Sequence, residues 1–123
     1  LSGLVGSEMC IRDSGYIARQ SGHSRGSTID ATLVATKKMP FPAGTIQGHL
    51  LPNGEVDMGS PFDLFDIRSH SDNPDLPNDA KHNRQWFRAL MQRHGFDNYP
   101  KEWWHYTLRD EPYPNHYFNF PVQ

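Results

Sequence analysis

With 123 residues and 14.1 kDa, the chain can bury one modest core but not two, so a single domain is expected. Its 12 Lys+Arg against 14 Asp+Glu leave a formal charge of -2, with neither a basic field nor an acidic tail, which argues against nucleic acid as a partner. A mean hydropathy of -0.74, with no apolar run near the ~20 residues that cross a bilayer, argues against a membrane span within the sequence. Cys10 is the single cysteine, so an intrachain disulfide and a cysteine-built zinc site are both excluded. Any metal site must therefore use His, Asp and Glu. The cytoplasm and the periplasm both suit such a chain, and nothing in it indicates an oligomeric state.

In chain order, residues 1–14 show neither a basic leader nor an apolar core, and Val5-Gly-Ser-Glu-Met-Cys-Ile-Arg-Asp-Ser14 reads as a translated sequencing adapter. The expectation is a non-native peptide over 1–14. The native segment then runs over 15–123 as the carboxyl-terminal part of one domain whose start lies further upstream. A polar loop carrying His23 leads into Thr28-Ile-Asp-Ala-Thr-Leu-Val34, whose β-branched content predicts a strand. The prolines and glycines between Lys38 and Gly54 predict an excursion loop or short hairpin. An irregular acidic and aromatic loop follows from Val56 to Asp66, of the kind that often carries function. After the turn-rich linker Asp72–Asn78, a helix is predicted over Ala80–His94, capped by Asn78 or Asp79 and ended by Gly95. Trp86, Phe87, Leu90 and Met91 form its core stripe, with Arg84, Arg88, Gln92 and Arg93 assigned to the other face. Trp103–Leu108 reads as a strand with the two tryptophans on opposite faces, and residues 117–120 as a short edge strand.

Catalytic zinc takes three protein ligands from His, Asp or Glu and keeps a position open. His23, Asp30 and His105 supply that number and type, and Glu102 stands three residues before His105 as a candidate base. In a regular strand positions three apart face opposite sides, so Glu102 and His105 share a site only if the backbone turns before the strand begins. Taken singly, His23 also reads as a surface-loop histidine and Asp30 as an edge or capping residue. Arg68 and His70 fit a cleft or a structural ion pair equally well, and His49, His82, His94 and His116 read as surface or packing residues.

The segments Ser21-Gly-His-Ser-Arg-Gly-Ser-Thr-Ile-Asp30 and Glu102-Trp-Trp-His105 together resemble the paired signature of the zinc D-alanyl-D-alanine dipeptidases of the vancomycin-resistance type. Met58-Gly-Ser-Pro-Phe-Asp63, Arg68-Ser-His70 and Tyr106-Thr-Leu-Arg-Asp-Glu-Pro-Tyr-Pro-Asn115 extend the likeness in the same order. The resemblance implies one zinc ion per chain on His23, Asp30 and His105, a general base at Glu102, and substrate contacts at Asp63 and Ser21. Asp63 would hold the amino group of the substrate, a role that a carboxylate fits; a turn carboxylate bonding its own backbone is the structural alternative.

The implied fold is α+β, an antiparallel sheet carrying the zinc site with helices packed on one side, as in the D,D-carboxypeptidases and the hedgehog signalling domain. The implied activity is hydrolysis of D-alanyl-D-alanine to two D-alanine. Two alternatives stand beside it: a D,D-carboxypeptidase acting on peptidoglycan stem peptides, and a zinc-binding module without catalysis. Two departures bear on the choice. The stretch between Asp30 and Asp63 is longer than in the resistance enzymes, which leaves the pocket rim and substrate tolerance open. The family also places an arginine on an upstream segment, and nothing in Leu1–Gln20, Arg12 and Arg19 included, matches that motif. Loss of such a donor typically costs about 10²–10³ in rate, so reduced activity is expected of the chain as it stands.

Overall fold

A computed structural model of the chain describes residues 22–36 and 41–118. Ser21 and the adapter-like stretch 1–14 lie outside the described residues. Strand β1 (Thr28–Asp30) is built from two β-branched residues and an aspartate, and it pairs antiparallel with β3 (His105–Leu108) in the register Thr28↔Thr107, Ile29↔Tyr106, Asp30↔His105. The hydroxyls of Thr28 and Thr107 bond each other at 2.8 Å across that pair. Strand β2 (Phe96–Asn98) adds to the other side of β3, so the sheet order is β1-β3-β2.

The first strand is shorter than predicted. Beyond Asp30 only Ala31 still bonds toward β3, its N–H donating to Trp104 O at 2.9 Å, and the chain then leaves the sheet. Val34 forms an isolated bridge with Glu55, flanked by Ala35 N–H to Gly54 O and Val56 N–H to Leu33 O, both 2.9 Å. The predicted excursion therefore closes as a small hairpin-like base and returns the chain to the core at Val56.

Helix α1 spans Asn78–Arg93. Pro77 occupies the N-cap without a side-chain bond, so neither Asn78 nor Asp79 caps the helix; both lie inside its first turn, where the Asp79 carboxylate faces the positive end of the dipole. The predicted ending holds, because Gly95 has φ 88 and its N–H donates to Gln92 O at 3.1 Å. The buried helix residues are Ala80, Asn83, Arg84 and Phe87. Arg84 thus departs from the polar face on which residue type put it. Its guanidinium donates to Met58 O at 2.5 Å, His70 O at 2.7 Å, Arg68 O at 2.7 Å and Ser60 Oγ at 3.1 Å. Burial pushes its pKa down to about 10, the carboxylate of Asp57 opposing the shift.

The core is Val56, Met58, Phe87, Trp103, Trp104 and Tyr106, closed by the underside of the sheet, α1 and the loop after Val56. Trp103 and Trp104 do not alternate across a strand. Both lie in the turn before β3, both are buried, and their rings meet edge to face at 5.4 Å. The edge strand predicted at 117–120 is not seen at Tyr117 and Phe118, where the Phe118 N–H instead donates to Ser24 O at 2.6 Å; residues 119–120 lie outside the described residues. The architecture is α+β, a three-stranded antiparallel sheet with one α-helix among the described residues, none of whose helices is long and apolar enough to cross a membrane.

Candidate metal centre

The candidate site forms where β1 meets β3. A 3-10 turn over Gly22–Arg25 precedes β1, closed by the Gly26 N–H donating to His23 O at 3.0 Å. Arg25 holds that turn against the carboxyl-terminal tail through Glu111 at 2.7 Å, and the Ser27 hydroxyl donates to the same carboxylate at 2.5 Å. His23 Nδ1 lies 3.1 Å from Thr28 O. A carbonyl only accepts, so this contact puts a proton on Nδ1; Nε2 faces Asp30, to which it donates when protonated, and is the nitrogen whose lone pair becomes available to a metal once that proton leaves.

Asp30, the last residue of β1, stands directly opposite His105, the first of β3. One oxygen of Asp30 lies 3.3 Å from His23 Nε2 and 3.2 Å from His105 Nδ1. The two imidazoles meet at 4.9 Å between centroids with their planes at 85°. His23, Asp30 and His105 each offer one donor atom, all within 4.8 Å of one another, which is a geometry able to hold a metal ion. Two imidazole nitrogens and one carboxylate also match the donor types that suit zinc in a three-ligand site.

Glu102 reaches the same corner by the route that a regular strand would have denied it. The His105 N–H donates to Glu102 O at 3.3 Å, closing a turn over 102–105, and β3 begins only at His105. The turn brings Glu102 Oε1 to 3.3 Å from His105 Nδ1. Asn98 of β2 secures it, donating to Glu102 O at 2.9 Å and to His105 O at 3.0 Å.

The electrostatics follow from crowding. Glu102 is 4% exposed, and burial, followed by repulsion from Asp30 and Asp63, pushes its pKa up to about 7. Burial would raise Asp30 too, but hydrogen bonds from His105 and His23 outweigh it and hold that carboxyl at about 2. His23 is raised, first by its bond to Asp30. Asp63 is exposed, at the left-handed backbone φ of 63, and its carboxyl is raised by desolvation and by Asp30. Asp63 is thus within electrostatic reach of both Asp30 and Glu102.

The predicted residues His23, Asp30, His105 and Glu102 converge, with Asp63 facing them from the loop after Met58. Arg68 pairs with Asp66 at 3.2 Å on the surface, which is the structural ion pair. Sequence reasoning missed the anchoring carbonyl of Thr28, which residue type cannot signal, and the grip of Arg84 on the Asp63 loop. A pocket of about 420 Å³ opens beside the loop, with Leu51, Val56, Phe62 and Trp103 in its wall; none of the three donor residues lines it.

Residues 8–123 match the family model described as D-ala-D-ala dipeptidase. Among curated relatives, the D-alanyl-D-alanine dipeptidase of Enterococcus faecium is 46% identical over 110 residues, covering 89% of this chain and 47% of the relative. That of Enterococcus faecalis is 47% identical over 108 residues (88% and 46%), and that of Streptomyces coelicolor 43% over 110 residues (89% and 48%). The chain spans about half the length of the curated relatives it matches. From the extent of the family match and the identity along nearly the whole sequence, the chain belongs to the D-ala-D-ala dipeptidase family.

Proposed function

We propose that this chain is a zinc-dependent dipeptidase hydrolysing D-alanyl-D-alanine to two D-alanine, with His23, Asp30 and His105 holding the metal. The observation that carries this reading is the convergence of those donors with a buried carboxylate, Glu102, at 3.3 Å from His105. Zinc in such a site supplies Lewis acidity toward a carbonyl oxygen and lowers the pKa of water to about 7.

The other roles belong to the chain. The Asp63 carboxylate pairs with the ammonium of the dipeptide and so sets the distance from the amino end to the scissile carbonyl. Ser21 is the second proposed substrate contact. Glu102 takes a proton from the attacking water as its oxygen bonds to the carbonyl carbon. It returns that proton to the nitrogen of the departing D-alanine as the C–N bond breaks. A pKa raised toward neutrality suits a carboxyl that must accept and then release a proton.

Purified, zinc-loaded protein should release D-alanine from the dipeptide, while N-acylated D-alanyl-D-alanine should be a poor substrate because it offers Asp63 no ammonium. A Glu102→Ala variant with full turnover would refute the assignment of the base. Zinc bound at one per chain without any turnover would favour the inactive module instead.

A further inference from the structure

The loop carrying Asp63 is tied to the turn carrying Glu102 through the buried hydroxyl of Ser69 and the half-buried hydroxyl of Ser60, neither of which has a part in the proposed reaction. Ser60 Oγ is approached by Arg84 Nη2 at 3.1 Å and by Trp103 Nε1 at 3.1 Å, and it lies 3.0 Å from Ser69 Oγ. Ser69 Oγ in turn lies 2.5 Å from Leu64 O. The protons on this chain have a single arrangement. Guanidinium and indole N–H groups only donate, so Ser60 Oγ accepts both; the Leu64 carbonyl only accepts, so the Ser69 hydroxyl donates to it. The Ser60 hydroxyl is then left to donate to Ser69 Oγ.

The partners of Ser60 are buried, Ser69 at 0% exposed, Arg84 at 3% and Trp103 at 3%, while Ser60 itself is half-buried at the wall of the 420 Å³ pocket. The ends of the chain matter most. Trp103 follows Glu102 directly, and its own N–H donates to Ser69 O at 3.0 Å. Leu64 follows Asp63, whose positive φ of 63 must be held in place by what surrounds it. Gly59 brings the loop this close to α1, since a Cβ there would stand 2.9 Å from both Ala80 Cβ and Leu76 Cδ2.

We propose that Ser60 and Ser69, oriented by Arg84, are positioning residues that fix the Asp63 carboxylate relative to Glu102 and so select the length of the free-amine substrate. The inference rests on the roles given above to Asp63 and Glu102. It goes further in making substrate length depend on two serines that are neither metal donors nor proposed substrate contacts.

A double-mutant cycle on zinc-loaded full chain, with D-alanyl-D-alanine as substrate, tests it. Ser69→Ala cuts the bond to Leu64 but keeps the backbone bond to Trp103. It should raise KM about ten-fold while leaving zinc content at one per chain and moving kcat little. In an Asp63→Asn background the same change should add less than about two-fold, because the group it positions no longer carries charge. Ser60→Thr, which keeps the hydroxyl, should retain the parental KM where Ser60→Ala raises it. A KM unmoved by Ser69→Ala, an effect of equal size in both backgrounds, or Ser60→Thr as impaired as Ser60→Ala would overturn the relay while leaving the dipeptidase reading intact. An Asp63→Asn protein with the parental KM would instead refute the role of Asp63, and the relay with it.

Discussion

Two neighbouring regions of this molecule handle buried polarity in opposite ways. At the β1–β3 corner, Asp30 and Glu102 are drawn together against two imidazoles, and Asp63 faces them. One carboxyl is held down at about 2 while the other is pushed up to about 7. Around Arg84 a full guanidinium is buried and yet matched, each of its three nitrogens donating to a carbonyl or hydroxyl oxygen. The first region gathers carboxylates and imidazoles in a geometry able to hold a cation; the second finds its partners within the fold. The difference separates a corner proposed to bind from a network that holds the neighbouring loop in shape, and each substitution should fall on one side of that line.

The largest effect is expected on the metal. His105→Ala removes one of three donors and should lower zinc affinity by more than about 100-fold, since even outer-shell partners of metal ligands are worth about 10–100-fold. Metal content after dialysis against a weak chelator reads this directly. Glu102→Gln should keep the metal and lose about 10²–10⁴ in turnover, the usual share of a general base. The pair of results locates metal binding and proton transfer in different side chains.

Arg84→Met should do the reverse. It leaves the Met58 and Arg68 carbonyls without a donor, His70 O keeping the Asn73 N–H, and should cost about 3 kcal/mol of stability in denaturant titration, with zinc affinity per folded molecule preserved. If metal affinity fell with it in proportion, the two regions would not be separable.

The smallest expected effect is on pH. In metal-free protein Glu102 has a folded pKa of about 7 against an ordinary value of 4.5. A raised pKa means that the folded state favours the proton. The associated stability is fully present below pH 4.5 and is lost as pH rises through about 7, a change on the order of 1–3 kcal/mol. Asp30 runs the other way: its contribution is present above 3.8 and lost as pH falls through about 2. Chelator-treated Glu102→Gln should therefore unfold at a higher temperature than the parent at pH 8 and at nearly the same temperature at pH 4.5.

That His23, Asp30 and His105 share one corner could be read from residue types and from the ordered resemblance, and α1 from its periodicity. What sequence reasoning could not supply was the means of bringing Glu102 to His105, because a strand assignment beginning at Trp103 separates them. A turn of 102–105 closed by Asn98 depends on β2, and Phe96-Asp-Asn98 is too short and too poor in β-branched residues to announce a strand. Arg84 was misplaced for the opposite reason. Its position, four after Ala80 and three before Phe87, puts it on the buried stripe, but charge outweighed spacing in assigning it to solvent. Helical spacing was the better guide.

The central claim is that one zinc ion sits on His23, Asp30 and His105 with Glu102 beside it as a base rather than a ligand. Anomalous X-ray scattering at the zinc edge, from crystals of the zinc-loaded chain, tests this most directly. The account predicts one peak per chain within bonding distance of His23 Nε2, His105 Nδ1 and the Asp30 carboxylate, with Glu102 outside the coordination shell. A peak bonded to Glu102, or one centred on other residues, would contradict it.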